Sequence, residues 1–160
     1  MDAIHPDLGQ LEFLFGTWTG FGHGLYPTIE DFDYQETIRF EPGPGKPFLT
    51  YTQRTVRLGT GEPLHSEMGY LRSVAPGRVE WVLAHPTGIA EILTGSVEGT
   101  ELRLMSGAIE LTPTAVEVID TERHIDVSTE GRAELRYRFS MAAVGQRHQL
   151  HLEATLHHPV

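Results

Sequence analysis

"ELRYRFSM", residues 134–141, alternates without a break: Leu135, Tyr137, Phe139 and Met141 fall on one side, Glu134, Arg136 and Arg138 on the other. Successive side chains of an extended strand point to opposite faces, so this stretch carries one apolar and one charged face. That is the pattern of a strand lying between a core and water. "EWVLAHP" (80–86) and "TYTQRTVRL" (50–58) repeat it less cleanly.

Working outward, β-favouring segments of the same period run almost from end to end. They predict about ten strands, at 17–24, 31–40, 47–58, 63–73, 78–85, 89–97, 100–106, 114–127, 133–142 and 147–157. Short turn-like pieces join them: "EPGPGKP", "GTGE", "APGR", "HPTG", "VEGTE", "LTPT" and "STEGR". Connections this short pair sequential strands antiparallel. The fold class is therefore all-β. A calycin- or lipocalin-like up-and-down barrel is favoured over a sandwich, because closure removes exposed edges. "HPDLGQLEFLF" (5–15) precedes the first strand as a short helical turn. A ten-stranded barrel is wider than the eight-stranded kind that side chains can fill, so a ligand cavity is expected.

The chain has 160 residues, which fits one domain over 1–160, with 39% hydrophobic and 21% charged residues. Its net charge of -10 and scattered basic residues argue against nucleic acid or an anionic membrane as a partner. There are no cysteines, which excludes disulfides, thiolate nucleophiles and zinc–thiolate sites. "MDAIHPDLGQLEFLF" has no basic start and no long apolar run, so a soluble, cytoplasmic protein is expected. No P-loop, dinucleotide fingerprint or nucleophile elbow occurs.

Nine histidines stand out. His5, His23, His157 and His158 read as solvated, and His85, before Pro86, and His124 as structural. His148 and His151 form H-x-x-H, but odd spacing in a strand puts the rings on opposite faces, so the pair does not make one metal site. Either one alone can be a ligand, as a single imidazole is for a haem iron. Strict alternation through "HQLHLEATLHH" sets Leu150, Leu152, Ala154 and Leu156 on one face and His151 on the other, so His151 faces inwards only if the strand is bulged there. The remaining oddity is "GTWTGFGHG" (16–24), where Gly20, Gly22 and Gly24 share one face. Such a face bends sharply or lets something bulky approach its backbone.

"GTWTGFG" (16–22) followed by "GLYPTI" (24–29) closely resembles the signature of the nitrobindin family. "FLTYTQRT" (48–55), "PLHSEMGYLR" (63–72), "GIAEILTGSVEG" (88–99) and "HLEATL" (151–156) agree in order, so the resemblance spans essentially the whole chain. It implies a ten-stranded barrel holding one haem b, with His151 as the axial ligand. It implies that Thr28, Leu64 and His65 line the pocket, and that Trp18, Gly20 and Gly22 stand against the macrocycle. Val116 lies where relatives often carry a basic residue, which leaves Arg123 as a propionate partner. The implied activity is isomerisation of peroxynitrite to nitrate, with nitric oxide as a further ligand, by a monomer or weak homodimer. Three alternatives stay open: a non-enzymatic haem or nitric-oxide binder or sensor, a lipocalin-like carrier of an apolar ligand, and a structural barrel with a packed interior and no ligand, whose histidines are surface residues.

Overall fold

A computed structural model describes residues 3–160. Ten antiparallel strands close into one barrel: β1 (Gly16–Gly24), β2 (Phe32–Pro42), β3 (Phe48–Arg57), β4 (Pro63–Ala75), β5 (Arg78–His85), β6 (Ile89–Glu98), β7 (Glu101–Leu111), β8 (Val118–Ser128), β9 (Glu134–Ala143) and β10 (Gln149–His157). Each strand pairs with its neighbours in sequence, and β1 pairs with β10 to complete the ring. The up-and-down barrel read from the alternation is the fold. The main differences in extent are that β7 runs on to Leu111 and β8 starts only at Val118.

The alternation sets the core directly. Leu135, Tyr137 and Phe139 of β9 are buried while Arg136 and Arg138 are exposed. Val79, Trp81 and Leu83 of β5 do the same, and Phe40, Tyr51 and Trp81 pack as an aromatic group with centroids 4.7–6.2 Å apart. Such rings together contribute packing beyond their buried area.

One end of the barrel is plugged. The N-terminal segment Pro6–Leu14 is a 3-10 helix, opened by Pro6 and by the His5 ring, which accepts from the Asp7 amide. A 3-10 helix repeats every three residues, so Leu8, Leu11 and Leu14 align on one side, and all three are fully buried. Gln10 anchors the plug: its amide donates to Ser73 Oγ at 2.7 Å and to the Ala75 carbonyl at 3.0 Å, and its oxygen accepts from the Gly77 amide. Trp18 belongs to this end, with Nε1 donating to the Leu14 carbonyl at 2.8 Å and its ring against His158.

The glycine face of β1 answers to the protein itself. A Cβ on Gly20 would meet the Thr155 carbonyl and the Leu156 backbone of β10, and one on Gly22 would meet the Tyr34 ring. Neighbouring strand and aromatic rings occupy that face, so Trp18, Gly20 and Gly22 do not line the cavity described next.

Candidate functional site

The opposite end of the barrel is open. Its loops and strand ends surround a cavity of about 540 Å³, lined by Tyr26, Thr28, Ile29, Leu64, His65, Val116 and Val144 near the rim. Deeper walls come from Phe32, Tyr137, Phe139, Met141, Leu152 and His151. The volume is that of a site for a drug-sized or cofactor-sized molecule. Thr28, Leu64, His65 and His151 are thus brought together in one cavity.

His151 enters it through a break in the pairing. The β10–β9 register shifts between Leu150 and Leu152, so His151 is an extra residue and both it and Leu152 reach the interior. Ala154 and Leu156 beyond the bulge are buried as alternation predicts. The bulge is pinned from the β1–β2 loop. The Leu25 amide donates to the His151 carbonyl at 2.8 Å, and His151 Nδ1 lies 3.0 Å from the Leu25 carbonyl. A carbonyl only accepts, so Nδ1 carries the proton and Nε2 keeps its lone pair. Tyr26 and Phe139 meet the ring edge-on at 5.4 and 6.0 Å. Burial pushes the imidazole pKa down despite the Leu25 contact, which favours the neutral, ligating form.

Across the ring the wall is charged. Strand β4 lies four places from β10 and β5 lies five, so their side chains face β10 over the cavity. Arg123 is buried and donates to Glu67 through both terminal nitrogens, at 2.6 and 3.2 Å, and to Glu91 at 3.1 Å. Tyr51 and Tyr137 hydroxyls, at 2.8 Å from Glu67 and 3.1 Å from Arg123, complete the shell, and Thr121 donates to Glu91 at 2.8 Å. Burial alone would raise both carboxyls, but Arg123 and the neighbouring imidazoles outweigh it, holding Glu67 well below its usual range and Glu91 near about 2. Arg123 lines the cavity with both terminal nitrogens on these two carboxylates, and its buried Nε has no partner.

His85, read as structural, belongs to this wall. Its Nε2 lies 2.6 Å from Glu91, and its Nδ1 lies 3.1 Å from His65 Nε2 and 3.3 Å from Glu67. The H-x-E spacing of His65 and Glu67 places both on the inner face of β4, which is the one sequence signal for this group. His85, Glu91 and Arg123 arrive from other strands, and only the closed ring assembles them.

The family model for the THAP4-like, heme-binding beta-barrel domain matches residues 7–158. A protein of Mycolicibacterium paratuberculosis named peroxynitrite isomerase 1 is 50% identical over 158 residues, 96% of each chain. The Mycobacterium tuberculosis protein of the same name is 49% identical over 161 residues, again 96% of each. The crystal structure of Rv2717c from M. tuberculosis superposes with a TM-score of 0.90 at 46% identity, covering 99% of this chain and 100% of that one.

Proposed function

Because the chain belongs to the THAP4-like, heme-binding β-barrel family, we propose that it is a haem-dependent peroxynitrite isomerase in which His151 holds one haem b. The observation that carries the axial role is the bulged His151, with Nδ1 tied to the Leu25 carbonyl and Nε2 free in an apolar cavity. A metal-bound imidazole is ordinarily oriented in this way, by a partner on its other nitrogen. The donor set and the aromatic and aliphatic walls fit a flat apolar macrocycle. When bound, a ferric haem would supply Lewis-acid chemistry for isomerising peroxynitrite to nitrate, and would also bind nitric oxide.

The protein's own part is to hold and enclose. The Leu25 contact and the two aromatic edges fix the His151 ring plane before any ligand arrives. Ile29, Phe32, Phe139, Met141 and Leu152 present apolar surface to the interior, and the plug closes the far end. Thr28, Leu64 and His65 contribute to the rim. Eight strands of one chain, all but β1 and β7, and the loops at the mouth line the cavity, so a single copy suffices. Among the described residues no helix is long and apolar enough to cross a membrane.

A hemin titration of the full chain tests this reading. A saturable one-to-one Soret shift is expected, lost or altered in His151→Ala, with peroxynitrite decay accelerated by the loaded wild type. A Soret shift indifferent to His151→Ala would overturn the axial assignment. Unchanged peroxynitrite decay would leave a haem or nitric-oxide binder.

A further inference from the structure

The His65, Glu67 and His85 group calls for a second explanation, because it satisfies poorly as a hydrogen-bond network. Three atoms face one another: His65 Nε2 and His85 Nδ1 at 3.1 Å, His65 Nε2 and Glu67 Oε2 at 3.3 Å, and His85 Nδ1 and Glu67 Oε2 at 3.3 Å. A hydrogen bond needs one proton between two heavy atoms, and a triangle with three short edges cannot seat a well-aligned proton on each. A metal ion does satisfy such a triangle. Ligands about 2.0–2.1 Å from a tetrahedral zinc lie roughly 3.3–3.4 Å from one another, close to the edges seen here.

The surroundings are those of ligands already oriented. His85 Nε2 lies 2.6 Å from Glu91, which fixes that nitrogen as the donor and turns the Nδ1 lone pair towards the triangle when the ring is neutral. Thr121 holds Glu91 in turn. Glu67 is steadied by Tyr51 and Arg123 on Oε1, while its Oε2, which also accepts from Arg123 at 3.2 Å, faces the two imidazoles on its other side. One guanidinium faces two buried carboxylates in this wall, so with both imidazoles neutral the group carries an excess negative charge that a cation offsets. All three atoms belong to residues lining the cavity, which leaves further coordination positions on that side.

We propose that His65, Glu67 and His85 form a binding site for one divalent transition-metal ion in the cavity wall across from His151. Two imidazoles and one carboxylate suit zinc or ferrous iron, whereas magnesium and calcium prefer oxygen alone. Two other histidines with two carboxylates each do not make such a site. His23 meets Asp33 through Nδ1 and Asp31 through Nε2, and His148 meets Asp120 and Glu122 in the same divided way. Ligands on opposite sides of a ring cannot converge on one ion. The site needs no porphyrin, so it stands or falls separately from the haem reading.

The test is titration of the full chain, before hemin loading, with cobalt(II), followed by zinc displacement. The expected result is one equivalent per chain with the intense visible absorption of a four- or five-coordinate ion, displaced by zinc and untouched by magnesium. His65→Ala and His85→Gln should each weaken binding at least about 100-fold, and Glu91→Gln about 10–100-fold as an orienting partner. His23→Ala and His148→Ala should bind as the wild type does. The His65 side chain is 31% exposed, so His65→Ala keeps the fold and decides the matter if His85→Gln does not. Absence of saturable binding by the wild type, or binding unchanged in His65→Ala, would overturn the proposal.

Discussion

His151 Nδ1 and the Leu25 carbonyl oxygen meet at 3.0 Å across 126 residues of chain, tying the last strand to the loop after the first. The contact fixes both the tautomer and the direction of Nε2. In the haem-free chain near neutral pH, long-range proton–nitrogen spectra should show a neutral ring protonated at Nδ1. An Nε2–H tautomer there would remove the preorganised ligand.

That ring should also resist protonation. Burial lowers its pKa, so the folded state disfavours the proton that the unfolded chain accepts below its ordinary value of 6.5. Acidification through that value should therefore destabilise the haem-free wild type more than His151→Phe, as read by urea unfolding at pH 7.5 and pH 5.5. Equal losses in both proteins would show that the ring titrates normally.

Gly20 tests the reassigned glycine face. A methyl group there meets β10 backbone, which cannot rotate aside, so Gly20→Ala should cost on the order of 1–3 kcal/mol or more. Gly9 has nothing within 4 Å of such a methyl group, and Gly9→Ala is the matched control. Thermal unfolding that treats the two alike would contradict the close approach.

These glycines show where sequence reasoning reached its limit. Even spacing correctly put Gly20, Gly22 and Gly24 on one face, but which object fills that face is decided by strands far away in the chain. The strands themselves were legible because a half-buried strand writes its alternation locally, as Leu135, Tyr137, Phe139 and Met141 do. The plug was half legible: a helical turn was expected, while the three-residue spacing of Leu8, Leu11 and Leu14 went unread. Alternation alone pointed His151 outwards, and the bulge that reverses it depends on the Leu25 contact. Glu67, Glu91 and Arg123 carried no local sign of being partners, since three different strands supply them.

Arg123 keeps two buried carboxylates ionised, and its removal should expose the cost of burying them. Arg123→Met should lose about 3–5 kcal/mol at neutral pH. In the wild type, both folded carboxyls titrate below the ordinary 4.5, so their contribution is present above that value and fades as pH falls towards about 2. The variant should reverse this trend, gaining stability on mild acidification from pH 7 to 5. Urea titrations at several pH values distinguish the two slopes.

Glu36 shifts the other way. Burial pushes its carboxyl up to about 8 against a stabilising Gln53 contact, and one of its oxygens has no partner. Between about pH 4.5 and 8 the folded chain keeps a proton that the unfolded chain has released, so stability falls as pH rises. Glu36→Gln has no such proton to lose. It should exceed the wild type by on the order of 2–4 kcal/mol at pH 8, with the gap closing towards pH 4.5.

The plug at one end gives the barrel a direction of traffic. A vessel with a single mouth admits its guest and discharges its product through the same doorway, so the two compete for passage and a bound cofactor becomes the floor of a cul-de-sac. The plug segment Pro6–Leu14 and the residues after β10 both lie at the sealed pole, where Trp18 bonds the Leu14 carbonyl and meets the His158 ring. Anything fused or tethered there would swing clear of the entrance, and the same barrel could be hung from a larger assembly without being stoppered.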